Sequence, residues 1–173
     1  MVKDNFTFNE LYQNHVDMVY NLSLNYLQNK HDAEEVTQDV FIKVYEKLGT
    51  FNKKSSLKTW IYRITINQCL DFIKAKKRKK RFGNLIYLFS DNESISEAIY
   101  STTSHPGIEL ENKEATEKIF HEINLLPETQ KTAIILKAIE GLPQKEIAEI
   151  MKLSVKAVES LLSRARKNLD RKL

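Results

Sequence analysis

Residues 144–166 read QKEIAEIMKLSVKAVESLLSRAR, and their apolar positions have the spacing of a helix-turn-helix core. The pattern breaks at Lys152 and Leu153 and then resumes, which predicts two short helices joined by a tight turn. Ala148 is small where the two helices must approach closely, and Ser154 supplies an oxygen that can cap the second helix. A second helix of this kind can lie in the major groove of DNA. A plain helical hairpin is the alternative reading of the same spacing.

The second helix would present one polar face to DNA. Side chains near its N-terminal end are the ones that reach base edges in this motif. The positions that fall outside its apolar stripe are Lys156, Ala157, Glu159, Ser160, Ser163 and Arg164. We therefore expect these residues to be exposed.

The rest of the chain predicts an all-α protein. It has 173 residues, 42% of them hydrophobic, with four Gly and three Pro, which are too few for the turns of an all-β fold. Helical periodicity fills residues 8–48 and resumes from Leu57 into a lysine-rich run. We predict that Asp32 is the N-cap of the second helix. Inward-facing residues predicted for the two helices that follow residue 107 are Ala115, Ile119, Ile123, Ile134, Ile135, Ala138 and Ile139.

Residues 82–107 lack sustained periodicity and contain Ser, Thr, Asn, Gly and Pro. We predict a flexible linker there, between two small helical domains at residues 1–81 and 108–173. The single Cys69 excludes a disulfide framework and predicts a small buried residue. The absence of a long apolar run, and of an apolar signal region at the start, predicts a cytoplasmic protein that does not insert into a membrane.

Basic residues form two clusters on a chain whose net charge is only +4. Seven of the eight residues at 74–81 are Lys or Arg, and a second cluster lies at 164–172. Two such patches suit a polyanion that is contacted at two places, although solvated helix ends would give the same pattern. Phe51, Trp60 and Tyr62 flank the basic loop and the helix that leads into the first cluster, and unpaired bases stack on aromatic rings. Phe51 and Trp60 fit a core better, so Tyr62 is the better stacking candidate.

The sequence contains no pattern of residues typical of a catalytic site. The four His residues are scattered without metal-ligand spacing, and there is no Gly-rich phosphate loop or nucleophile elbow. We expect neither an enzyme nor a bound metal or cofactor.

Three segments resemble the extracytoplasmic-function group of bacterial RNA polymerase sigma factors, in the sigma-70 family. Residues 32–41 (DAEEVTQDVF) are similar to the core-binding helix, and residues 58–67 (KTWIYRITIN) to the promoter-melting helix. Leu126-Pro127, residues 141–148 (GLPQKEIA) and residues 163–166 (SRAR) are similar to the C-terminal helix-turn-helix. The order and spacing match the group that keeps only the second and fourth sigma regions.

The resemblance implies partners and a role for each surface. Core RNA polymerase and promoter DNA are the expected partners, together with an anti-sigma factor that could hold the protein at the inner membrane face. Core polymerase would bind Asp32, Glu35, Gln38 and Asp39. The minus-ten element would be bound and melted by Phe51, Lys53, Lys54, Ser55, Ser56, Lys58, Trp60, Tyr62, Arg63, Asn67 and Lys74. Backbone phosphates would meet Lys76, Lys77, Arg78 and Lys79. The minus-thirty-five element would be read by Ser154, Lys156, Ala157, Glu159, Ser160, Ser163, Arg164 and Lys167.

Some positions depart from the family pattern. Glu159 and Leu161 stand where related proteins often have basic residues on the recognition helix, and Pro143 replaces the usual hydroxyl cap. Lys152 occupies a turn position that often carries Gly in the family, so the resemblance implies a positive φ there. A carboxylate repels phosphates but can accept from a cytosine amino group, so Glu159 either reads a base or lies at the groove edge. Two other functions stay open: a regulator that binds an operator unaided, and a helical adaptor that binds proteins only.

Overall fold

The computed structural model describes residues 7–89 and 108–171, with side chains for 7–81 and 116–171, and the regular elements in these ranges are helical. The elements are α1 (Phe8–Leu27), α2 (Lys30–Leu48), α3 (Leu57–Phe89), α4 (Ile108–Asn124), α5 (Glu128–Ile134), a π-helical turn (Ile135–Ile139), α6 (Gln144–Met151) and α7 (Val155–Asp170). The predicted all-α class is confirmed.

Side-chain caps fix where the first two helices begin. Thr7 forms a capping box with Glu10: the Glu10 N–H donates to the Thr7 hydroxyl (3.3 Å), and the Thr7 N–H donates to the Glu10 carboxylate (3.0 Å). Asn29 caps α2, because its side-chain oxygen accepts from the N–H of Asp32 (3.0 Å). The prediction that Asp32 is the N-cap is therefore wrong. Gln28 ends α1 in the left-handed conformation (φ 54°). Asn29 follows it immediately and occupies the N-cap position of α2.

In the predicted first domain, α1, α2 and α3 pack against one another through apolar stripes. Val36, Val40 and Val44 of α2 are fully buried, as their four-residue spacing predicts. The neighbouring helices contribute Leu11, Val19, Leu22, Tyr26, Ile61, Ile66 and Cys69 to the same buried cluster. Cys69 is buried as predicted, and its thiol donates to the Ser23 hydroxyl of α1 (3.8 Å between sulfur and oxygen).

α3 is longer than the sequence predicts. It runs without interruption to Phe89, so residues 82–89, which we assigned to the linker, continue the helix. Gly83 lies inside this extension, and a glycine costs a helix only about 1 kcal/mol relative to alanine, which is too little to end it. Residues 90–107, the remainder of the predicted linker, lie outside the described residues.

The predicted helix-turn-helix is confirmed in α6 and α7. Lys152 has φ 56°, the left-handed conformation expected at this turn, which costs a non-glycine residue about 1 kcal/mol. The Ser154 hydroxyl accepts from the N–H of Ala157 (3.2 Å) and so caps α7. Ile147 and Leu162 are buried between the two helices, which fixes the angle at which α7 is presented.

The π-helical turn changes which side chains follow the buried face of α5. Its hydrogen bond runs from the N–H of Glu140 to the carbonyl of Ile135 (3.0 Å), five residues apart, so this turn holds more residues than an α-helical one. Ile135 and Leu136 are consequently buried, whereas Ala138 and Ile139 are exposed. The prediction that Ala138 and Ile139 point inward is wrong for this reason.

α4 reaches the core near its C-terminal end. Ile123 and the following Leu126 are buried, but Ile119 is 43% exposed, so the prediction that Ile119 points inward is wrong. One helical turn, about 5.4 Å, separates Ile119 from Ile123 and carries it past the edge of the buried cluster. The Ala115 side chain lies outside the described side chains.

The buried apolar residues of the two predicted domains form one cluster, and buried polar groups of α1 and α5 take part in the same contact. The Tyr26 hydroxyl donates to the Thr132 hydroxyl (2.8 Å), and the Lys131 ammonium donates to the Tyr26 carbonyl (3.0 Å) and to the Asn124 side chain (2.6 Å). Lys131 is 6% exposed, and burial lowers the pKa of its ammonium to about 8 because the charged form loses hydration. The contact between the domains therefore includes a buried cation.

Lys131 should make the folded protein gain stability as the pH rises above about 8. Its pKa is lowered in the folded state, whereas the unfolded chain keeps the ordinary value of 10.5. Between these values the unfolded state binds more protons, so the free energy of unfolding rises with pH. Lys131→Met should remove this part of the rise when urea unfolding is compared at about pH 7.5 and about pH 9.5. Lys118→Met, at an exposed position of α4, is the control, and an identical pH dependence in all three proteins would contradict the assignment.

Cys69 should be protected from thiol reagents in the native protein. The residue is fully buried, and burial raises the pKa of its thiol to about 12, so almost no thiolate exists at pH 8. We expect reaction with an aromatic disulfide reagent to proceed at the rate at which the first domain unfolds and to become fast in urea. Rapid stoichiometric reaction of the native protein would show that α1 does not cover this thiol.

Candidate nucleic-acid interface

Helix α7, the second helix of the helix-turn-helix, presents the polar face that the sequence predicts. Val158, Leu162 and Ala165 hold it to the second domain and are buried. The predicted DNA-facing residues that are exposed are Ser154, Lys156, Glu159, Ser160, Ser163, Arg164 and Lys167, while Ala157 is half-buried. Leu161 is 8% exposed and belongs to the core. It therefore does not lie on the polar face of α7, although related proteins often have a basic residue at this position. The face therefore combines cations, hydroxyls and one carboxylate.

The loop before α3 brings an aromatic pair close to basic side chains. The rings of Phe51 and Trp60 lie 5.0 Å apart, and both are half-buried. Ser56 caps α3 by accepting from the N–H of Thr59 (3.0 Å), which gives this residue a structural role. Lys53 adopts a left-handed conformation (φ 55°) at the tip of the loop. The side chains of Lys53, Lys54 and Lys58 are exposed, and Ser55 is half-buried.

Two of the residues predicted to melt the minus-ten element, Tyr62 and Arg63, are turned toward the second domain. The Tyr62 hydroxyl donates to the Glu140 carboxylate (3.2 Å), and the residue is 3% exposed. Burial is the main cause of the raised pKa of this hydroxyl, so it stays protonated. The Arg63 guanidinium donates to the carbonyls of Glu149 (2.6 Å) and Ile150 (3.2 Å). Tyr62, our better stacking candidate, is thus buried in this arrangement.

Asn67 occupies a different environment on the same helix. It is exposed and lines a cleft of about 510 Å³ between the domains. Trp60 and Arg63 line the same cleft from α3, and Thr132 and Met151 line it from the second domain. The structure therefore brings a ring, an amide and a guanidinium together along one opening.

The basic run divides into paired and exposed cations. Lys74 pairs with Glu128 of the second domain (3.3 Å), and Lys76 pairs with Asp32 of α2 (2.5 Å). The predicted phosphate contacts Lys77, Arg78 and Lys79 are exposed. Lys80 and Arg81, the last two residues of the run, are exposed as well.

The predicted polymerase-binding face of α2 has an inner and an outer row. Asp32 and Asp39 are half-buried against α3, where Asp32 meets Lys76 and Asp39 accepts from the Gln68 amide (2.9 Å). Gln68 also accepts from the Lys43 ammonium. Glu35 and Gln38 are exposed and face outward. The outer row is the part of this face that a protein partner can reach without disturbing the first domain.

Sequence reasoning missed two apolar residues beside that row. Ile42 is 56% exposed and Tyr45 is 67% exposed, and the Tyr45 ring meets Phe8 edge-on at 5.2 Å between ring centres. Both residues fall outside the buried stripe of Val36, Val40 and Val44. Two large apolar residues off the buried stripe are the pattern in the sequence that could have indicated an exposed apolar surface. Glu140 was also missed, and no sequence pattern predicts the π-helical turn that carries it.

Among the described residues, no three His, Cys, Asp or Glu side chains are grouped as a metal site. None of the described helices combines the length and the apolar character needed to cross a membrane.

Two sequence families match this chain, one in each domain. Sigma-70 region 2 matches residues 11–79, and Sigma-70, region 4 matches residues 116–169. The chain is 31% identical to the ECF RNA polymerase sigma-E factor of Haemophilus influenzae over 170 residues. This alignment covers 98% of this chain and 89% of that protein. The sigma-E factor of Escherichia coli K12 is 32% identical over 82% of this chain and 74% of its own length.

The fold is also found in solved structures. The sigma factor RpoE in its co-crystal structure with the anti-sigma factor NepR, from Bartonella quintana, superposes with a TM-score of 0.64. The match covers 95% of this chain and 94% of that one at 21% identity, which supports a shared fold. From the two matched regions and the sigma-E relatives, this chain belongs to the sigma-70 family and is an extracytoplasmic-function sigma factor, which directs RNA polymerase to promoters.

Proposed function

We propose that this sigma factor contacts its promoter with one domain at each end, using residues 1–81 for the minus-ten element and 108–173 for the minus-thirty-five element. The observation that supports this best is the presence of two separate polar surfaces, the α7 face and the cleft side of α3 around Asn67. Each surface lies on a different domain, and each carries groups suited to a different form of DNA.

The α7 face suits duplex DNA. Lys156 and Arg164 can neutralise phosphates or reach guanine, and the hydroxyls of Ser160 and Ser163 can donate to or accept from any base edge. Glu159 is exposed among them and can accept from the amino group of cytosine. We therefore propose that α7 reads the minus-thirty-five element and that Glu159 contributes to the choice of base there.

The cleft side of α3 suits an unpaired strand. Extruding a base costs a few kcal/mol of stacking and pairing, which new contacts must offset. The Phe51 and Trp60 rings offer an apolar surface on which a base can stack, and the Asn67 amide can both donate to and accept from its edge. Tyr62 and Arg63 would join them when they are not held by the second domain. Lys77, Arg78 and Lys79 would hold the neighbouring phosphates.

Core RNA polymerase is the proposed partner of α2. Glu35 and Gln38 supply charge and hydrogen-bonding groups, and Ile42 and Tyr45 supply the apolar area that anchors protein interfaces. Asp32 and Asp39 would support this face from behind through α3. A carboxylate-bearing surface on a basic protein suits a cationic protein partner better than DNA.

An anti-sigma factor is the further proposed partner, and the structure of RpoE with NepR is the solved relative that motivates it. We place the protein in the cytoplasm, with attachment to the inner membrane face only through such a partner. No enzymatic step, metal or cofactor belongs to the proposal, since binding alone performs recruitment and strand opening.

Gel filtration with bacterial core RNA polymerase, followed by transcription from a genomic promoter library, tests this function. Comigration together with new start sites is the expected result and would also supply the promoter sequence. A protein that fails to comigrate but binds duplex DNA tightly by itself would be an operator-binding regulator instead.

Glu35→Arg should weaken binding to core polymerase by about tenfold or more, a change of about 1.4 kcal/mol, because it places a cation on the outer row of α2. Glu34→Arg makes the same charge change one residue earlier, about 100° around the helix, and is the matched control. Equal affinities of the two variants in a fluorescence titration would remove the outer row from the interface.

Asn67→Ala should reduce promoter opening while polymerase binding is retained. The variant removes the amide from the cleft without disturbing the core, since Asn67 is exposed. Permanganate reactivity of promoter thymines should fall severalfold in the holoenzyme. Asn21→Ala, at an exposed position of α1, should behave as wild type. Wild-type reactivity in Asn67→Ala would assign the melting contacts to other residues.

A further inference from the structure

Val155 is an exposed apolar side chain at the start of the helix that we propose reads the minus-thirty-five element. It is the first residue of α7 and is 41% exposed. Single exposed apolar residues are common on proteins, so exposure alone assigns no role to Val155. Its position does, because the N-terminal residues of the second helix are the ones that reach base edges in a helix-turn-helix.

Leu153 is equally exposed (40%), but it has a structural reason to be apolar. Its N–H donates to the Ala148 carbonyl (2.9 Å), so it closes the end of α6, and it directly precedes the N-cap of α7. Residues at both kinds of position are commonly apolar, because they pack against the helix that ends and the helix that begins. The N-cap itself uses the Ser154 hydroxyl and not the side chain of Val155. Protein structure therefore accounts for Leu153 and leaves Val155 to a partner.

Glu159 lies one helical turn after Val155, on the same side of α7. Residues four apart on an α-helix are neighbours, separated by a rise of about 6 Å. Glu159 is exposed, and within the described part of the chain no hydrogen bond or ion pair engages its carboxylate. Val155 and Glu159 thus form one flank of the helix with an apolar group and an available acceptor.

Arg164 lies on the opposite flank of the polar face, five residues or about 140° from Glu159. Its Nε donates to the Ser160 carbonyl (3.3 Å), and the two terminal nitrogens remain as donors for a partner. A helix in the major groove has one DNA strand on each side. The flank of Val155 and Glu159 therefore faces one strand, and Arg164 faces the other.

The chemistry of Glu159 selects among the bases. A carboxylate accepts hydrogen bonds and cannot donate them, and it is repelled by phosphates. The donors on base edges in the major groove are the amino groups of cytosine and adenine. Adenine has its N7 acceptor beside the amino group, which repels a carboxylate, whereas cytosine has no acceptor on its own edge of this groove. Glu159 therefore fits cytosine better than the other bases.

The chemistry of Val155 selects thymine. The C5-methyl group of thymine is the apolar group that a base pair presents in the major groove, and an apolar side chain gains by packing on it. The rise of about 6 Å between Val155 and Glu159 corresponds to about two base pairs of DNA at 3.4 Å each. Thymine methyl and cytosine amino groups both lie on pyrimidines, so one flank of α7 can read two pyrimidines of one strand.

We propose that Val155 and Glu159 select a thymine and a cytosine that lie on the same strand of the minus-thirty-five element, within about two base pairs of each other. This inference rests on the proposed role of α7 and names the bases that it reads. Related proteins often have a basic residue in place of Glu159, so this flank would separate the promoters of this chain from those of its relatives.

Selection of bound promoters from a randomised library tests the cytosine contact. Holoenzyme made from the full chain and core polymerase binds duplexes that keep the minus-ten region of an active promoter and carry random base pairs at the minus-thirty-five element. We expect the wild type to enrich the thymine and cytosine pair on one strand. Glu159→Gln should lose the cytosine and gain adenine, because a glutamine amide bonds both N6 and N7 of adenine. Glu117→Gln, at an exposed position of α4, is the matched control and should select as wild type.

Replacement of the selected thymine by deoxyuridine tests the methyl contact, because deoxyuridine lacks only the methyl group. Wild-type holoenzyme should bind the deoxyuridine promoter about fourfold more weakly than the thymine promoter, as expected for the loss of one buried methyl. Val155→Ala should bind the two promoters equally. Leu125→Ala truncates another exposed apolar residue of the second domain (56% exposed) and should keep the fourfold difference. Circular dichroism melting verifies that each variant is folded.

The possible outcomes separate this inference from the proposed function. No deoxyuridine effect in the wild type, an effect retained in Val155→Ala, or one lost in Leu153→Ala but not in Val155→Ala would overturn the role of Val155. Enrichment of the cytosine by Glu159→Gln would overturn the role of Glu159. An enriched element without the two pyrimidines would overturn the inference alone. A holoenzyme that starts transcription but enriches no sequence at the randomised element would refute the proposed role of α7.

Discussion

Unsatisfied backbone groups at helix ends are the constraint on which this structure depends. A chain built of short helices has many such ends, and each leaves several N–H or carbonyl groups without an intrahelical partner. Local side chains satisfy the N-terminal ends: Thr7, Asn29, Ser56 and Ser154 cap α1, α2, α3 and α7. At the C-terminal ends of α1 and α6, donors from the other domain add to the local ones: Lys131 donates to the Tyr26 carbonyl, and Arg63 donates to two carbonyls of α6. The same requirement that shapes each helix therefore also joins the domains.

Features set by neighbours in sequence could be predicted, and features set by distant residues could not. The helix-turn-helix at 144–166 depends on local spacing, a capping Ser154 and a tolerated positive φ at Lys152, and all of these are visible in the sequence. The four-residue spacing of Val36, Val40 and Val44 likewise predicts the buried face of α2. The predicted N-cap of α2 lies three residues after the observed one because Asn29 and Asp32 are equally good capping residues.

The candidate site shows the same division. The exposed face of α7 follows from helical geometry alone, whereas the burial of the predicted melting residues of α3 does not. Tyr62, Arg63 and Asn67 are close in sequence, but packing against the second domain buries the first, engages the second and leaves the third exposed. Such differences depend on the docking of a helix nearly eighty residues away, as in the Tyr62 and Glu140 contact. Periodicity assigns a residue to a side of its helix, and tertiary structure decides what covers that side.

The π-helical turn at Ile135–Ile139 makes the position of Glu140 depend on a single residue of length. Removing one residue from this turn would restore regular α-helical spacing, and each residue of an α-helix advances by about 100°. The carboxylate would then rotate away from α3, while the caps and core of the helix-turn-helix that follows would keep their own sequence. The length of this one turn therefore sets whether the Glu140 carboxylate can accept from Asn25 and Tyr62.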